Sequence, residues 1–164
     1  MGAMPIDGTV TVVKGFDLFK NTLFLGINAG MSATFRILPP DYAINMPNAH
    51  GQPITDIEHA QINSKSFFFT SAQDGSIGTW FLSDSEPKTL QPHTMKQAGS
   101  PVTKIRLANP NFFVATLMNG NLWGWDLGSD SATTLSLGLG GISFALKHEG
   151  FLIVGDGQGQ MQIR

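Results

Sequence analysis

One feature of the amino-acid sequence narrows the choice of folds more than any other: it repeats itself. The segment SFFFTSAQDGSIGTWFL (Ser66 to Leu82) aligns with NFFVATLMNGNLWGWDL (Asn111 to Leu127). Each is an apolar run, a tight turn ending in Gly, a second run, and a Trp five residues past that Gly, so Gly75 pairs with Trp80 and Gly120 with Trp125. One period upstream, TLFLGINAGMSATFRIL sets Gly30 before Phe35 at the same interval; one period downstream, FLIVGDGQGQMQIR sets Gly159 before Arg164. The turn glycines are 45, 45 and 39 residues apart, a period that accommodates one four-stranded sheet per copy.

Each copy reads as strands in the same order. Asp74-Gly75 and Asn119-Gly120 predict two-residue hairpin turns of the kind that need positive φ, each joining two apolar runs. Strand-like runs precede the hairpins at Val10 to Asp17, Ile54 to His59, Val102 to Ala108 and Ile142 to His148, and polar segments such as Tyr42 to Pro47 and Thr89 to Thr94 follow them. Pro40, Pro47, Pro87 and Pro92 fall in or beside those later segments, where an outer edge strand tolerates a missing N–H. The second strands (LFLGI, FFF, FFVATL, FLIV) are almost continuously apolar. Such runs imply burial on both faces, whereas a half-solvated antiparallel sheet alternates.

Sheets fanned around an axis, each covered by its two neighbours, supply that environment; two sheets packed as a sandwich are the competing arrangement. The expected fold class is therefore all-β: a β-propeller of about four blades, each a four-stranded antiparallel sheet. The blades are expected at 9–49, 50–95, 99–138 and 140–164 within a single region 5–164, the last without its outer strand. The opening MGAM reads as a cloning remnant on a chain excised from something longer.

Composition bears on function mainly by exclusion. The net charge is −2 and the ten Lys and Arg are scattered, so no cationic footprint for nucleic acid or an anionic membrane is present. Without Cys there are no disulfides, thiolate zinc sites or cysteine nucleophiles, which fits an intracellular setting, cytoplasmic or nuclear. No stretch reaches the ~20 apolar residues of a membrane helix.

The second copy resembles the WD-repeat family. That family places a Gly-His before the first strand, a Ser or Thr in the second, an Asp in the turn and a Trp in the third, joined by hydrogen bonds within one blade. The corresponding residues are His50, Thr70, Asp74 and Trp80, with the first pair reversed as His50-Gly51. The third copy keeps Trp125-Asp126 but has Ala115 and Asn119 in the hydroxyl and Asp positions and no His, so it is expected to be held by packing alone. The resemblance implies a ring of seven blades, about 300 residues at this period, of which this chain supplies about half. The other half would come from another chain, from a second copy in an eight-bladed dimer, or be replaced by closure near Met4 to Gly8.

Candidate chemistry is sparse. His50, His59, His93 and His148 are not spaced as metal ligands. Asp56 and Glu58 share a strand face, and a solvated strand end accounts for them. Gly155-Asp156-Gly157-Gln158-Gly159 suggests a phosphate loop, but no helix pattern or Gly-Lys-Ser/Thr follows, and a turn is the better reading. Asp56, Lys104 and Arg106 are the polar groups the first strands offer to a central channel. No catalytic residue, cofactor or metal is expected.

The anticipated role is protein–protein docking without catalysis, or self-assembly through the blade faces. The resemblance puts the docking end at the loops before each first strand and the turns between second and third strands: Gln52, Gln73, Ser100 and Met118. Trp123, whose strand position is atypical, is added to that surface, while Trp80 and Trp125 are assigned to blade packing.

Overall fold

Four antiparallel meanders follow one another along the chain. The computed structural model describes residues 6–16, 19, 21–38, 43–62, 64–109, 111–138, 142–148 and 151–163. The first sheet holds β1 (Thr9–Lys14), β2 (Leu23–Asn28), β3 (Ala33–Leu38) and β4 (Ile44–His50). The second holds β5 (Ile54–Ile62), β6 (Lys65–Ala72), β7 (Ser76–Leu82) and β8 (Leu90–Gln97). The third holds β9 (Val102–Asn109), β10 (Phe112–Leu117), β11 (Asn121–Asp126) and β12 (Ser131–Ser136), and the fourth β13 (Ile142–His148), β14 (Phe151–Asp156) and β15 (Met161–Ile163). Two outer strands overrun the expected limits: β4 carries His50, and β8 ends at Gln97 rather than at residue 95. Pro47 and Pro92 lie in these outer strands; Pro40 lies outside the described residues.

The sheets are stacked side by side. First strands neighbour one another, β5 packing against β1 and β9, and β9 against β13. Burial alternates between partners rather than between core and solvent. Phe68 belongs to the core shared by the first and second sheets, with Phe24, Phe35 and Trp80. Its neighbour Phe69 belongs to the core shared by the second and third, with Phe113, Trp123 and Trp125. Phe113 in turn faces the second sheet, while Val114 joins Leu122 and Val154 between the third and fourth. Consecutive residues thus serve separate cores, which is why the second strands carry unbroken apolar runs.

Ring contacts cross both sheet boundaries at short range, Phe24 to Phe68 at 5.0 Å and Phe69 stacked on Phe113 at 4.9 Å. Phe68 and Phe69 are 0% and 1% exposed, and truncating a phenylalanine packed this way costs about 3–5 kcal/mol. A sandwich, with one interior between two sheets, does not describe three successive inter-sheet cores.

The hairpins differ from the sequence expectation. Three residues rather than two separate the strands, Gln73 to Gly75 and Met118 to Gly120. Only the glycines adopt positive φ, 82° at Gly75 and 84° at Gly120, and the turns close through Gly75 N–H to Ala72 C=O and Gly120 N–H to Leu117 C=O. This is a type I turn finished by a left-handed glycine. Asp74 is therefore free to act as a hydrogen-bond acceptor for its surroundings.

Candidate functional site

His50, Thr70, Asp74 and Trp80 are brought together, and Ser76 joins them. Trp80 Nε1–H donates to Thr70 Oγ1 at 2.7 Å, and Thr70 Oγ1 lies 2.7 Å from His50 Nε2. On the other side of the ring, His50 Nδ1 lies 2.5 Å from Ser76 Oγ, whose hydroxyl donates to Asp74 Oδ1. The ends of this chain fix its polarity. Trp80 can only donate and the carboxylate can only accept, so each hydroxyl accepts one bond and donates one, and His50 is neutral with its proton on Nδ1. Burial agrees, pushing the His50 imidazole down to about 4 against the opposing charge of Asp74.

At Asp74, burial alone would raise the carboxyl pKa. The N–H and O–H of Ser76, the His50 ring and the Gly51 N–H together outweigh it and hold the carboxyl below the usual range. Sequence reading missed Ser76, although a hydroxyl two residues past the turn Asp was the available signal.

This network anchors one end of the molecule. Asp74 Oδ2 accepts the Gly51 N–H at 3.0 Å, and Gln73 N–H donates to Pro53 C=O at 3.1 Å. Ala98 N–H donates to Gly75 C=O, and Met118 N–H to Pro101 C=O, each at 2.9 Å. Two inter-sheet loops and two hairpin turns are thereby linked in series. They carry Gln52 and Gln73, which are exposed, Met118, which is 58% exposed, and Ser100, which is half-buried. Gly75 is irreplaceable at its position, for a Cβ there would lie 2.9 Å from the Ser100 carbonyl oxygen. Between the loops lies a cavity of 320 Å³ lined by Thr11, Pro53, Thr55, Gln73, Thr103 and Met118 among others.

Trp123 does not belong to that surface. It is 4% exposed and packs 6.1 Å from Trp125 in the core between the second and third sheets, so its place in the docking set is withdrawn. Trp125 has no part in the His50 chain either. Its indole N–H donates to Asp130 Oδ1 at 3.0 Å, and the Lys96 ammonium lies 5.5 Å from its ring centre. The third sheet is thus held by a polar clasp as well as by packing, correcting the expectation of packing alone.

Asp56 also departs from expectation. It is fully buried rather than a solvated strand end. Its carboxylate meets Lys14 Nζ at 2.9 Å and Arg106 Nη1 at 2.8 Å, and accepts N–H bonds from Ile57 and Ile105. One carboxylate of β5 therefore joins the first strands of three consecutive sheets. Burial raises the pKa of Glu58, while Arg106, 3.7 Å away, opposes the rise. Gly155 and Asp156 end β14 and Gly157 to Gly159 make the turn, with Asp156 Oδ1 accepting the N–H groups of Gln158 and Gln160. Among the described residues, no helix is long and apolar enough to cross a membrane.

No protein-family model and no curated protein matches the sequence. Solved structures do match it. The chain is similar to Sqt1 from Chaetomium thermophilum, with a TM-score of 0.78 at 12% identity over 96% of this chain and 43% of that one. It is also similar to the WD40 domain of Toxoplasma gondii coronin, with a TM-score of 0.72 at 13% identity over 87% of this chain and 40% of that one. The fold is all-β, three four-stranded sheets and a partial fourth, and corresponds to part of a WD40 propeller. The chain spans less than half the length of either structure.

Proposed function

We propose that this partial WD40 propeller is a non-catalytic scaffold that docks protein partners through the end bearing Gln52, Gln73, Ser100 and Met118. One observation carries the reading: loops from separate sheets, linked by the bonds of Gly51, Gln73, Ala98 and Met118, form a continuous surface around a cavity of 320 Å³. Exposed amides and a flexible thioether on an ordered backbone suit adaptable recognition. Affinity purification from the source cell, comparing the native chain with a Gln73→Lys, Met118→Lys double variant, tests it. Partners recovered by the native chain should fall away with the double variant while its circular dichroism is unchanged; equal recovery removes this surface from consideration.

A second reading has its own support. Phe151, Met161 and Ile163 of the fourth sheet are 57%, 63% and 58% exposed, and Val13 and Leu23 of the first are 54% and 48% exposed. Apolar side chains at both flanks suit completion of a ring by another chain or a second copy. Sedimentation equilibrium at micromolar concentration distinguishes the two, since a monomer throughout eliminates self-pairing. The absence of Cys supports a reducing compartment, cytoplasmic or nuclear, for either role.

A further inference from the structure

The junctions β5–β6 and β11–β12 lie at the end of the molecule opposite Gln73 and Met118, because each meander reverses direction at every turn. Between the second and third sheets they enclose a groove of 480 Å³, within the range of ligand clefts. Phe69 and Trp125 form its floor, Ile62, Phe67 and Leu127 its apolar walls, and Asp130 stands at its rim. The rim already holds a cation from this chain: Lys96 Nζ is 2.8 Å from both carboxylate oxygens of Asp130 and 5.5 Å above the Trp125 ring.

The two members of that ion pair are not equivalent. The Lys96 side chain is 25% exposed and contributes nothing to the groove lining, whereas Asp130 is 66% exposed and faces the groove. Asp130 already accepts the Trp125 indole N–H at one oxygen and the Lys96 ammonium at both, which leaves about one of a carboxylate's roughly four acceptor positions open to a third donor from the groove.

We infer that this groove binds a peptide segment in which an apolar side chain flanks an arginine or lysine. The apolar side chain packs on Phe67 and Trp125, and the cation bonds to Asp130 at the rim. The site is separate from the docking end, so the two readings stand or fall independently.

The test uses three N-acetyl pentapeptide amides, Gly-Leu-Xaa-Leu-Gly with Xaa arginine, norleucine or glutamate, titrated into the whole chain. Binding is followed through the NMR resonance of the Trp125 indole N–H. The arginine peptide should saturate that shift and bind about three- to tenfold tighter than the norleucine peptide, the gain typical of an exposed ion pair with a cation–π contribution. The glutamate peptide should bind more weakly than either. Asp130→Asn, which keeps an acceptor for the indole, should erase the arginine preference and leave norleucine binding in place, which also reports an intact fold. No saturable Trp125 shift, glutamate binding equal to arginine, or an arginine preference that survives Asp130→Asn overturns the assignment.

Discussion

Replacing Thr70 by valine removes one oxygen and almost no volume, yet that oxygen is the junction of the longest buried hydrogen-bond chain described in the molecule. It accepts from Trp80 Nε1 and donates to His50 Nε2, both at 2.7 Å. Thr70, His50 and Trp80 are 0%, 4% and 4% exposed, so water cannot replace it. The valine variant leaves an indole N–H and an imidazole nitrogen without partners, at about 1–3 kcal/mol each. A loss of about 3 kcal/mol in total is expected, a large share of the about 5–15 kcal/mol that holds a domain folded. Thr11→Val is the control, since that exposed hydroxyl bonds to carbonyls of Gly26 and Ile54 and strands no buried donor. It should cost under about 1 kcal/mol. Urea denaturation followed by far-ultraviolet circular dichroism measures both. In a double-mutant cycle, Trp80→Phe should cost less in the valine background than in the native one. If Thr70→Val proves no worse than Thr11→Val, the directed chain from Trp80 to Asp74 does not support the fold as argued.

Further expectations follow from the buried polar groups and close contacts. His50 titrates near 6.5 when unfolded and at about 4 when folded, so below pH 6.5 the unfolded chain takes up a proton that the native state refuses. Stability should therefore fall from pH 6.5 towards 4, by about 3 kcal/mol from this residue. His59, also depressed by burial, acts in the same direction, and His59→Phe isolates the His50 contribution; a flat denaturation midpoint across that window contradicts the neutral assignment. Asp56→Asn removes both ion pairs, and because Lys14 and Arg106 keep 28% and 22% exposure the loss should be about 2–3 kcal/mol, below that of a fully buried broken pair. Calorimetry that finds an unchanged melting temperature would show the three-sheet junction to be dispensable. Gly26→Ala places a Cβ 2.7 Å from Ile54 Cβ and Val12 Cγ1 and should destabilise by about 1–3 kcal/mol, visible as an earlier urea midpoint.

The blade order was legible because the features that mark it are imposed by geometry. A turn glycine at Gly75 is demanded by its φ of 82° and by the Ser100 carbonyl pressed against it. The unbroken run at Phe67 to Phe69 follows from cores on both sides of one sheet. Other features were hidden because their meaning depends on distant partners. Asp74-Gly75 looks the same in a two-residue and a three-residue turn, and only the Gly51 and Ser76 contacts reveal which. Trp123 looked displaced because it precedes Trp125 by two residues, yet strand alternation places both on one face, towards the second sheet. Asp56 looked solvated because Lys14 and Arg106 approach it from neighbouring sheets.

The first strands were the hardest to interpret, and their backbone explains why. Ile54 and Ile57, three residues apart, both lie in the core between the first and second sheets, and Val102 and Ile105 repeat the spacing between the second and third. An uninterrupted strand forbids this, since residues three apart point to opposite faces. The pairing register slips at Thr55 in β5 and at Thr103 in β9, and the same irregularity falls at Thr11 in β1 and Ser143 in β13. An extra residue at each bulge resets the alternation. At Thr11, Thr55 and Thr103 a hydroxyl bonds across the local ladder, to Gly26 C=O, Ser71 and Thr116 at 3.2, 2.9 and 2.8 Å. An aliphatic residue followed by Thr or Ser is thus a fourth repeated mark, too short to stand out in the sequence. By resetting the face after Thr55, the bulge lets one strand keep Ile54 and Ile57 in a core while presenting Asp56 to Lys14 and Arg106.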